Sequence, residues 1–397
     1  RIVSVDDHVI EPPHLWENYI ASEFRDRAPR VERIPCAHMG YVGGKFTAEP
    51  GDDRVPCDWW RFEDLLSPRT RVESAVGYDR ADITVTPTTY EEMRTGCYDP
   101  TARLADMDQG HIEAQLCFPS SFPRFCGQTF SETKDKDLGL ACIEAYNNWM
   151  IEEWCADSNG RLMPLAIVPL WDPELAATEL LRNVRRGVRA VTFSEIPAYL
   201  GLPSIHTEYW DPFFAACAEH GVSIHMHIGS SSKMPSTSPD APALVASALT
   251  FGNAMSSMVD FMLSGVLVRF PELQLAYSEG QIGWIPYILE RTDHVWEANR
   301  AWGDVGDSVP EPPSTYFHRQ IYACFFEDEF GLTSEALNKI TPQRILFETD
   351  YPHSDSVWPE TEATAQRLMG HLDQETVNLL CRGNAIKLLD LDLPVNP

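Results

Sequence analysis

The chain has 397 residues, ordinary apolar and charged fractions, and a formal net charge of −28 at pH 7. That length suits one α/β barrel carrying insertions, and it buries a large core without staples. Such acidity excludes a nucleic-acid-binding face, which must be basic, and disfavours an anionic membrane surface.

Eight short, nearly continuous apolar runs read in chain order as strands buried on both faces. They are Ile2–Val5, Ala114–Phe118, Leu162–Val168, Ala190–Phe193, Val222–Ile228, Leu273–Tyr277, Ile321–Phe325 and Arg344–Phe347. Helical patterns separate them. Leu140–Trp154 has apolar residues at helical spacing. Pro173–Arg186 starts behind a capping Asp172 with Pro173 in the first turn. Asp211-Pro212 repeats that device before Phe213–His220, and Gly221 stops the helix. The tail Asp373–Leu391 reads as two short closing helices. Alternating strands and helices predict parallel βα units, and eight of them predict a (β/α)8 TIM barrel forming one domain over 1–397.

Two stretches break the rhythm. Residues 17–100 are rich in Pro, Arg, Asp and aromatics with no clear period. A segment this long is a functional excursion or a small subdomain. Following the first strand, it is expected to lie as a lid over the C-terminal mouth. A second, Ser- and Pro-rich insertion, Gly229–Pro242, follows the fifth strand. The ten cysteines form no C-x-x-C pair and several sit in apolar runs, as expected of a reducing compartment. No basic-then-apolar leader opens the sequence and no apolar run is long enough to span a bilayer. The expectation is a cytoplasmic protein.

Catalytic groups in such barrels sit where strands end. The first run ends Val5-Asp6-Asp7-His8, and period-two geometry puts Asp6 and His8 on one face. The fourth ends in Glu195, the fifth reads His225-Met226-His227, the sixth ends in Glu279, and the eighth ends Glu348-Thr349-Asp350-Tyr351-Pro352-His353. Carboxylates and imidazoles are expensive to bury alone, so their convergence on a cation is an economical account. A single such residue is more often a cap or a hydrogen-bonded rim group, and Asp7 and Glu348 read that way. The set carries the argument.

With these motifs in hand, the sequence resembles the amidohydrolase superfamily, in the group that includes aminocarboxymuconate-semialdehyde decarboxylase and related aromatic-acid decarboxylases. The resemblance spans nearly the whole chain. It rests on Val5–Pro13, Arg103-Leu104-Ala105-Asp106-Met107-Asp108, Gly280–Pro286 and Glu348–His353. It implies metal ligation by the first-strand pair ending in His8, by His227, and by Asp350, which also handles a proton. Two departures stand out. Asp6 replaces the first His of the usual first-strand pair, and Glu279 stands where the sixth strand usually offers His. Carboxylates suit Mn²⁺ or Fe²⁺ better than Zn²⁺.

Dinuclear members of the superfamily bridge their ions with a modified fourth-strand Lys, and Glu195 occupies that place here. With it, the metal set becomes Asp6, His8, Glu195, His227, Glu279 and Asp350, enough for one ion or two. The expected activity is hydrolysis or non-oxidative decarboxylation of a small carboxylated or cyclic substrate. The alternatives are an O₂-dependent hydroxylase with a paired Fe/Fe or Mn/Fe site, and a silent barrel partnering a homologous subunit. Asp350 and His353 are the catalytic candidates. Arg61, in Trp59-Trp60-Arg61, and His225 are substrate-contact candidates, although Arg61 reads equally as a surface ion pair. The expected partners are a small-molecule substrate and a second barrel, identical or homologous.

Overall fold

Fourteen strands and the helices between them make up the computed structural model, which describes residues 1–52 and 55–393. Residues 53–54, within the 17–100 excursion, and 394–397 lie outside that description. The first strand, β1 (Ile2–His8), runs longer than its apolar stretch predicts, so Asp6 and His8 lie within it. Five short strands follow in the excursion: β2 (Arg30–Arg33), β3 (Cys36–Val42), β4 (Lys45–Pro50), β5 (Asp58–Phe62) and β6 (Leu65–Pro68). The remaining eight are β7 (Ile112–Phe118), β8 (Leu162–Met163), β9 (Leu165–Ala166), β10 (Ala190–Thr192), β11 (Ser223–His227), β12 (Leu275–Ser278), β13 (Ile321–Phe325) and β14 (Ile345–Phe347).

These eight and β1 pair in parallel, neighbour to neighbour in chain order. One arc is β1-β7-β8 and the other is β9 through β14. β8 and β9 are two halves of the predicted strand at 162–168, interrupted at Pro164, which has no N–H to give a ladder. The chain after β14 returns to β1, where Asp350 N donates to Asp6 O at 2.9 Å and His8 N to Tyr351 O at 2.5 Å.

Side chains alternate across these strands. Val3, Val5, Leu116, Phe118, Leu165, Ala276, Cys324 and Leu346 belong to an inner apolar cluster, closed at one end by Ile386, Leu388 and Leu389 of the tail helix Asn384–Leu389. Their chain neighbours, such as Val191, Tyr277 and Phe347, face the surrounding helices in the larger outer core. One predicted cap holds and the other does not: Asp211 is the first residue of its helix, behind Trp210, and makes no capping hydrogen bond. Asp172 accepts from Glu174 N and Leu175 N, and Gly221 ends Asp211–His220 at φ +64°. The helix expected at 140–154 is Lys136–Trp149, capped by Asp135 and continued by a wider turn, Met150–Trp154.

The excursion contains more order than its sequence advertises. β2, β5 and β6 form an antiparallel sheet, and β3 and β4 a hairpin whose two-residue turn is Gly43-Gly44, at φ +59° and +71°. Left-handed backbone at both positions is what such a turn requires, and glycine adopts it without strain. The segment is tied to the chain after β14, where Ala75 N donates to Pro352 O and Ser354 N to Val72 O. Among the described residues no helix is long and apolar enough to cross a membrane.

Arg103 knots several of these pieces together. It is fully buried and donates to His8 O at 2.6 Å, Gly96 O at 2.7 Å and Gln115 Oε1 at 3.3 Å, with its guanidinium 4.0 Å from the Tyr351 ring centre. Truncating it leaves buried carbonyls without donors. We expect Arg103→Met to lower unfolding free energy by about 3 kcal/mol, read from denaturant midpoints at constant slope. A loss below about 1 kcal/mol would refute the assigned role.

Candidate metal centre

A change of face in β1 creates the site. Val3 and Val5 point into the inner apolar cluster, so strict alternation would send Asp7 there next. Instead the register between β1 and β7 breaks between Ser4 and Asp7. A bulge of this kind re-aims side chains, and here it delivers Asp6 and His8 to the centre. β11 brings His227 from the side, with His225 one inward-facing position below it.

The resulting geometry is tight. His8 Nε2 lies 3.4 Å from Asp6 Oδ1, 3.4 Å from Asp350 Oδ1 and 3.1 Å from His227 Nε2. His227 Nε2 is in turn 3.5 Å from Asp6 Oδ2 and 3.4 Å from Glu279 Oε2. His353 Nδ1 sits 2.9 Å from Asp350 Oδ1, and its ring stacks on His8 at 3.8 Å. Asp6, His8 and His227 thus bring ligand atoms within 4.8 Å of one another, as do His8, Asp350 and His353.

Both oxygens of Asp6 and both of Asp350 are buried without a hydrogen-bond partner among the described residues. Buried polar atoms are nearly always satisfied, so four orphaned carboxylate oxygens around two imidazoles fit a divalent cation. His8 Nδ1 and His227 Nδ1 each face a backbone carbonyl, of Pro119 at 3.4 Å and Ile228 at 2.6 Å, which leaves both Nε2 atoms free to ligate.

Electrostatics agree. Burial, then Glu348, Glu279 and Asp350, hold the Asp6 carboxyl well above its ordinary range. Burial and Asp350 do the same to Glu279, and burial and Asp355 to Asp350. Burial pushes His227 down to about 3 and lowers His8, with His353 and His227 adding to the latter effect. Neutral imidazoles beside carboxyls that resist ionisation are what a cation site looks like without its positive charge.

Asp7 and Glu348, read from sequence as structural, hold the ligands in place. Asp7 accepts from Thr349 Oγ1 and from Tyr351 N, fixing the turn that carries Asp350. Glu348 accepts from the backbone N–H of Glu279 at 3.1 Å. That grip matters because Glu279 and Asp350 both have left-handed backbone, at φ +55° and +50°. For residues other than glycine this costs energy and persists only when neighbours impose it.

The structure separates the other candidates from this cluster. Glu195 is buried; its Oε1 accepts from Gly229 N, Ser231 Oγ and Asn253 Nδ2 at 2.9–3.0 Å, its Oε2 has no hydrogen-bond partner among the described residues, and it joins neither grouping of ligand atoms. Its carboxyl is pushed up to about 7 by burial, against the pull of those hydrogen bonds. His225 Nε2 meets Ser223 Oγ at 3.0 Å beneath the site. Arg61 donates to Glu32 at 2.6 Å in the excursion's sheet.

Above the centre opens a cavity of about 410 Å³, lined by Phe46, Pro68, Val72 and Phe125 on its apolar walls and floored by Glu279, Asp350 and His353. Phe125 also stacks on His227 at 4.0 Å. The sequence did not mark Phe46, in the mostly exposed β4, or Glu73 and Phe125, in turns, because neither setting develops a period.

The amidohydrolase family model matches residues 20–391. The chain belongs to the amidohydrolase family. A gamma-resorcylate decarboxylase from Rhizobium radiobacter is 26% identical over 239 residues, 55% of this chain and 68% of the relative. The gamma-resorcylate decarboxylase of Rhodococcus jostii is 25% identical over 67% of this chain and 82% of its own length. Among solved structures, an amidohydrolase from Mycobacterium avium subsp. paratuberculosis superposes with a TM-score of 0.70 at 21% identity, covering 98% of this chain and 99% of its own. A dihydroxybenzoic acid decarboxylase from Polaromonas, solved with manganese and 2-nitroresorcinol, gives 0.61 at 20% identity over 81% and 93%. At these identities the solved structures establish a shared fold.

Two measurements probe the site itself. We expect one metal ion per chain by elemental analysis, unchanged in Glu195→Gln and lost in His8→Ala. A second ion that disappears in Glu195→Gln would restore Glu195 as a bridge. Because the ligand carboxyls are held above their ordinary range, cation binding must release protons, so affinity should rise with pH. Calorimetry of Mn²⁺ binding in buffers of different ionisation enthalpy reads that release; identical heats in both would contradict it.

Proposed function

We propose that this amidohydrolase is a divalent-metal-dependent carboxy-lyase, removing CO₂ without oxidation from a small aromatic carboxylic acid. We read the two strand arcs as one closed (β/α)8 barrel and residues 17–100 as an excursion over its mouth. The observation that carries the functional reading is the juxtaposition of orphaned carboxylate oxygens with an apolar cavity of benzoate-accepting size. The decarboxylase relatives support the reaction class, and the manganese-containing relative supports Mn²⁺.

Asp6, His8, His227 and Asp350, with Glu279 at the rim, would hold the ion. When bound, it neutralises the substrate carboxylate and an adjacent oxygen. The chain's own residues supply the rest. Phe125, Phe46, Val72 and Pro68 sandwich the ring and keep water from it. Asp350 stands at the cavity floor with a carboxyl that retains its proton above the ordinary range. Loss of CO₂ from an arene needs a proton on the ring carbon that bears the carboxylate. The C–C bond then breaks, its electron pair restores the ring, and CO₂ leaves. Asp350 is placed to give that proton, and His353, 2.9 Å behind it, to orient the donor.

Oxygen activation by two ions would need Glu195 as a bridge. Glu195 gives only its Oε1 to Gly229, Ser231 and Asn253, but it lies outside both groupings of ligand atoms, and that supports the single-ion reading instead.

The test is incubation of chelated, then Mn²⁺-reloaded protein with 2,6-dihydroxybenzoate and other hydroxybenzoates in D₂O under argon. We expect CO₂ release with one deuterium incorporated at the vacated ring carbon, and better activity with Mn²⁺ or Fe²⁺ than with Zn²⁺. Asp350→Asn should cost at least about a thousandfold in turnover while leaving the fold intact. Activity within about tenfold of the parent would remove Asp350 from the mechanism, and a strict O₂ requirement would sink the non-oxidative reading.

A further inference from the structure

The two ends of one strand arc carry opposite charge. β10 through β14 run parallel, so their C-terminal ends share one side and their N-terminal ends the other. Glu195, Glu279 and Glu348 stand just beyond C-terminal ends. Arg189 and Arg344 immediately precede β10 and β14, and Arg319 stands two residues before β13. In a chain with 31 basic and 59 acidic side chains, this gathering of arginines runs against the composition.

A cavity of about 750 Å³ opens among these strand entries, and Arg189, His220, Tyr322, Arg344 and Lys387 line it. Lys387 comes from the tail helix Asn384–Leu389, which closes this end of the inner core. Ser223 N donates to Arg189 O at 3.1 Å and Ile224 N to Gln274 O at 2.9 Å, which fixes the spacing of the entries.

Arg344 decides what the cavity can take. It is partly buried, with its guanidinium 4.8 Å from the centre of the Tyr322 ring. It donates to His318 O, Arg319 O and Gln274 Oε1 at 2.5–3.1 Å. None of these acceptors is charged, no described carboxylate pairs with Arg344, and a guanidinium has further N–H groups to give. Burial lowers the Arg344 guanidinium from its ordinary range, as befits a cation without a counter-charge. Lys387 is exposed and pairs with no described residue. Arg189 gives one nitrogen to Val188 O at 3.1 Å and meets Asp390 only at 4.0 Å, where that carboxylate is 87% exposed. Arg319 is committed to Glu311 and Gln320, at 3.3 and 3.1 Å, and is not counted among the donors. The two acids in the lining, Glu219 and Asp390, are both exposed, and water screens them from Arg344.

We infer that this cavity binds a phosphate ester of a small organic molecule, with the dianionic group held by Arg344, Arg189 and Lys387. Cations reaching from separate elements around one concavity match a group with several equivalent oxygens, and guanidinium forks suit phosphate geometry. Binding also removes the cost of leaving a half-buried charge uncompensated. The cavity is much larger than a bare phosphate, so room remains for an organic body beside His220 and Tyr322. Lying at the far end of the strands from the metal centre, the site is independent of the reaction proposed there.

The experiment is calorimetric titration of metal-loaded protein, at low ionic strength, with ribose 5-phosphate, inorganic phosphate and acetate. We expect the ester to bind at least about tenfold more tightly than acetate, and more tightly than inorganic phosphate. Lys387→Ala and Arg189→Ala should each weaken the ester at least about fivefold, and Arg344→Gln more. Arg25→Ala, at an exposed site elsewhere, should change it less than about twofold. Because Arg344→Gln strips donors from two backbone carbonyls and can unfold the protein, the Lys387 and Arg189 variants carry the test by themselves. Chelation of the metal should leave ester affinity unchanged, since an ester bound at the metal centre would be lost with the ion. Absence of binding to the parent, loss of binding on chelation, or equal weakening by Arg25→Ala would overturn the site. Variants that lower the unfolding midpoint without changing ester affinity would show that these cations only brace the strand entries. Inorganic phosphate bound as tightly as the ester would overturn the assignment of an ester.

Discussion

Carboxylates buried against one another dominate this molecule. Asp6, Glu279, Glu348 and Asp350 lie within mutual influence at the top of the inner core, and each is raised above its ordinary range chiefly by burial. No described Lys or Arg side chain forms an ion pair with any of the four. Such a cluster is unstable unless protons or a cation compensate it. The fold invests backbone strain to keep it, through left-handed residues at Glu279 and Asp350 and a register break in β1. Structures hold strain of this kind where geometry serves a purpose. The purpose that fits the orphaned oxygens is ion binding.

A contrast within the same core sharpens the point. Asp106 is also buried, yet Arg94 grips it with two hydrogen bonds at 2.7 and 2.8 Å and Tyr351 donates a third at 2.6 Å. Glu11 accepts from Ser120 through both backbone and hydroxyl. These acids are saturated by the protein and act as fasteners. Asp6 and Asp350 are held in position by the backbone while their oxygens are left open. Burial alone does not separate the two groups; the number of donors each carboxylate meets does.

The central strands and the candidate ligands at their ends were legible in the sequence, because strands buried on both faces read as apolar runs and their polar terminators stand out against them. Asp6, His8, His227, Glu279 and Asp350 could be picked for that reason. The destination of a side chain was less legible. Glu195 follows β10 by three residues, where a ligand would stand, yet Ser231 and Asn253, 36 and 58 residues further along, hold its Oε1. Long-range polar partners leave no mark at the residue they capture. The excursion hid its structure for a different reason. Its strands are short, and several face solvent on both sides, as the mostly exposed β4 does, so alternation never develops. Its clearest signal was local: Gly43-Gly44 between two β-prone stretches. Glu73 and Phe46 reach the cavity from this segment, so the cavity wall was hidden even where the candidate metal ligands were not.

Glu279 links the charge of the centre to its chemistry. At the sixth-strand end an imidazole would add no charge, whereas Glu279 brings the candidate ligand set to two imidazoles and three carboxylates. If all three were ionised around one divalent ion, the centre would be net negative and would repel the carboxylate of the proposed substrate. One ligand must therefore keep its proton. Asp350 is the candidate, since it faces the cavity, carries a raised carboxyl and has His353 beside it. In the proposed reaction, the excess negative charge that Glu279 introduces would favour keeping on Asp350 the proton that release of CO₂ consumes.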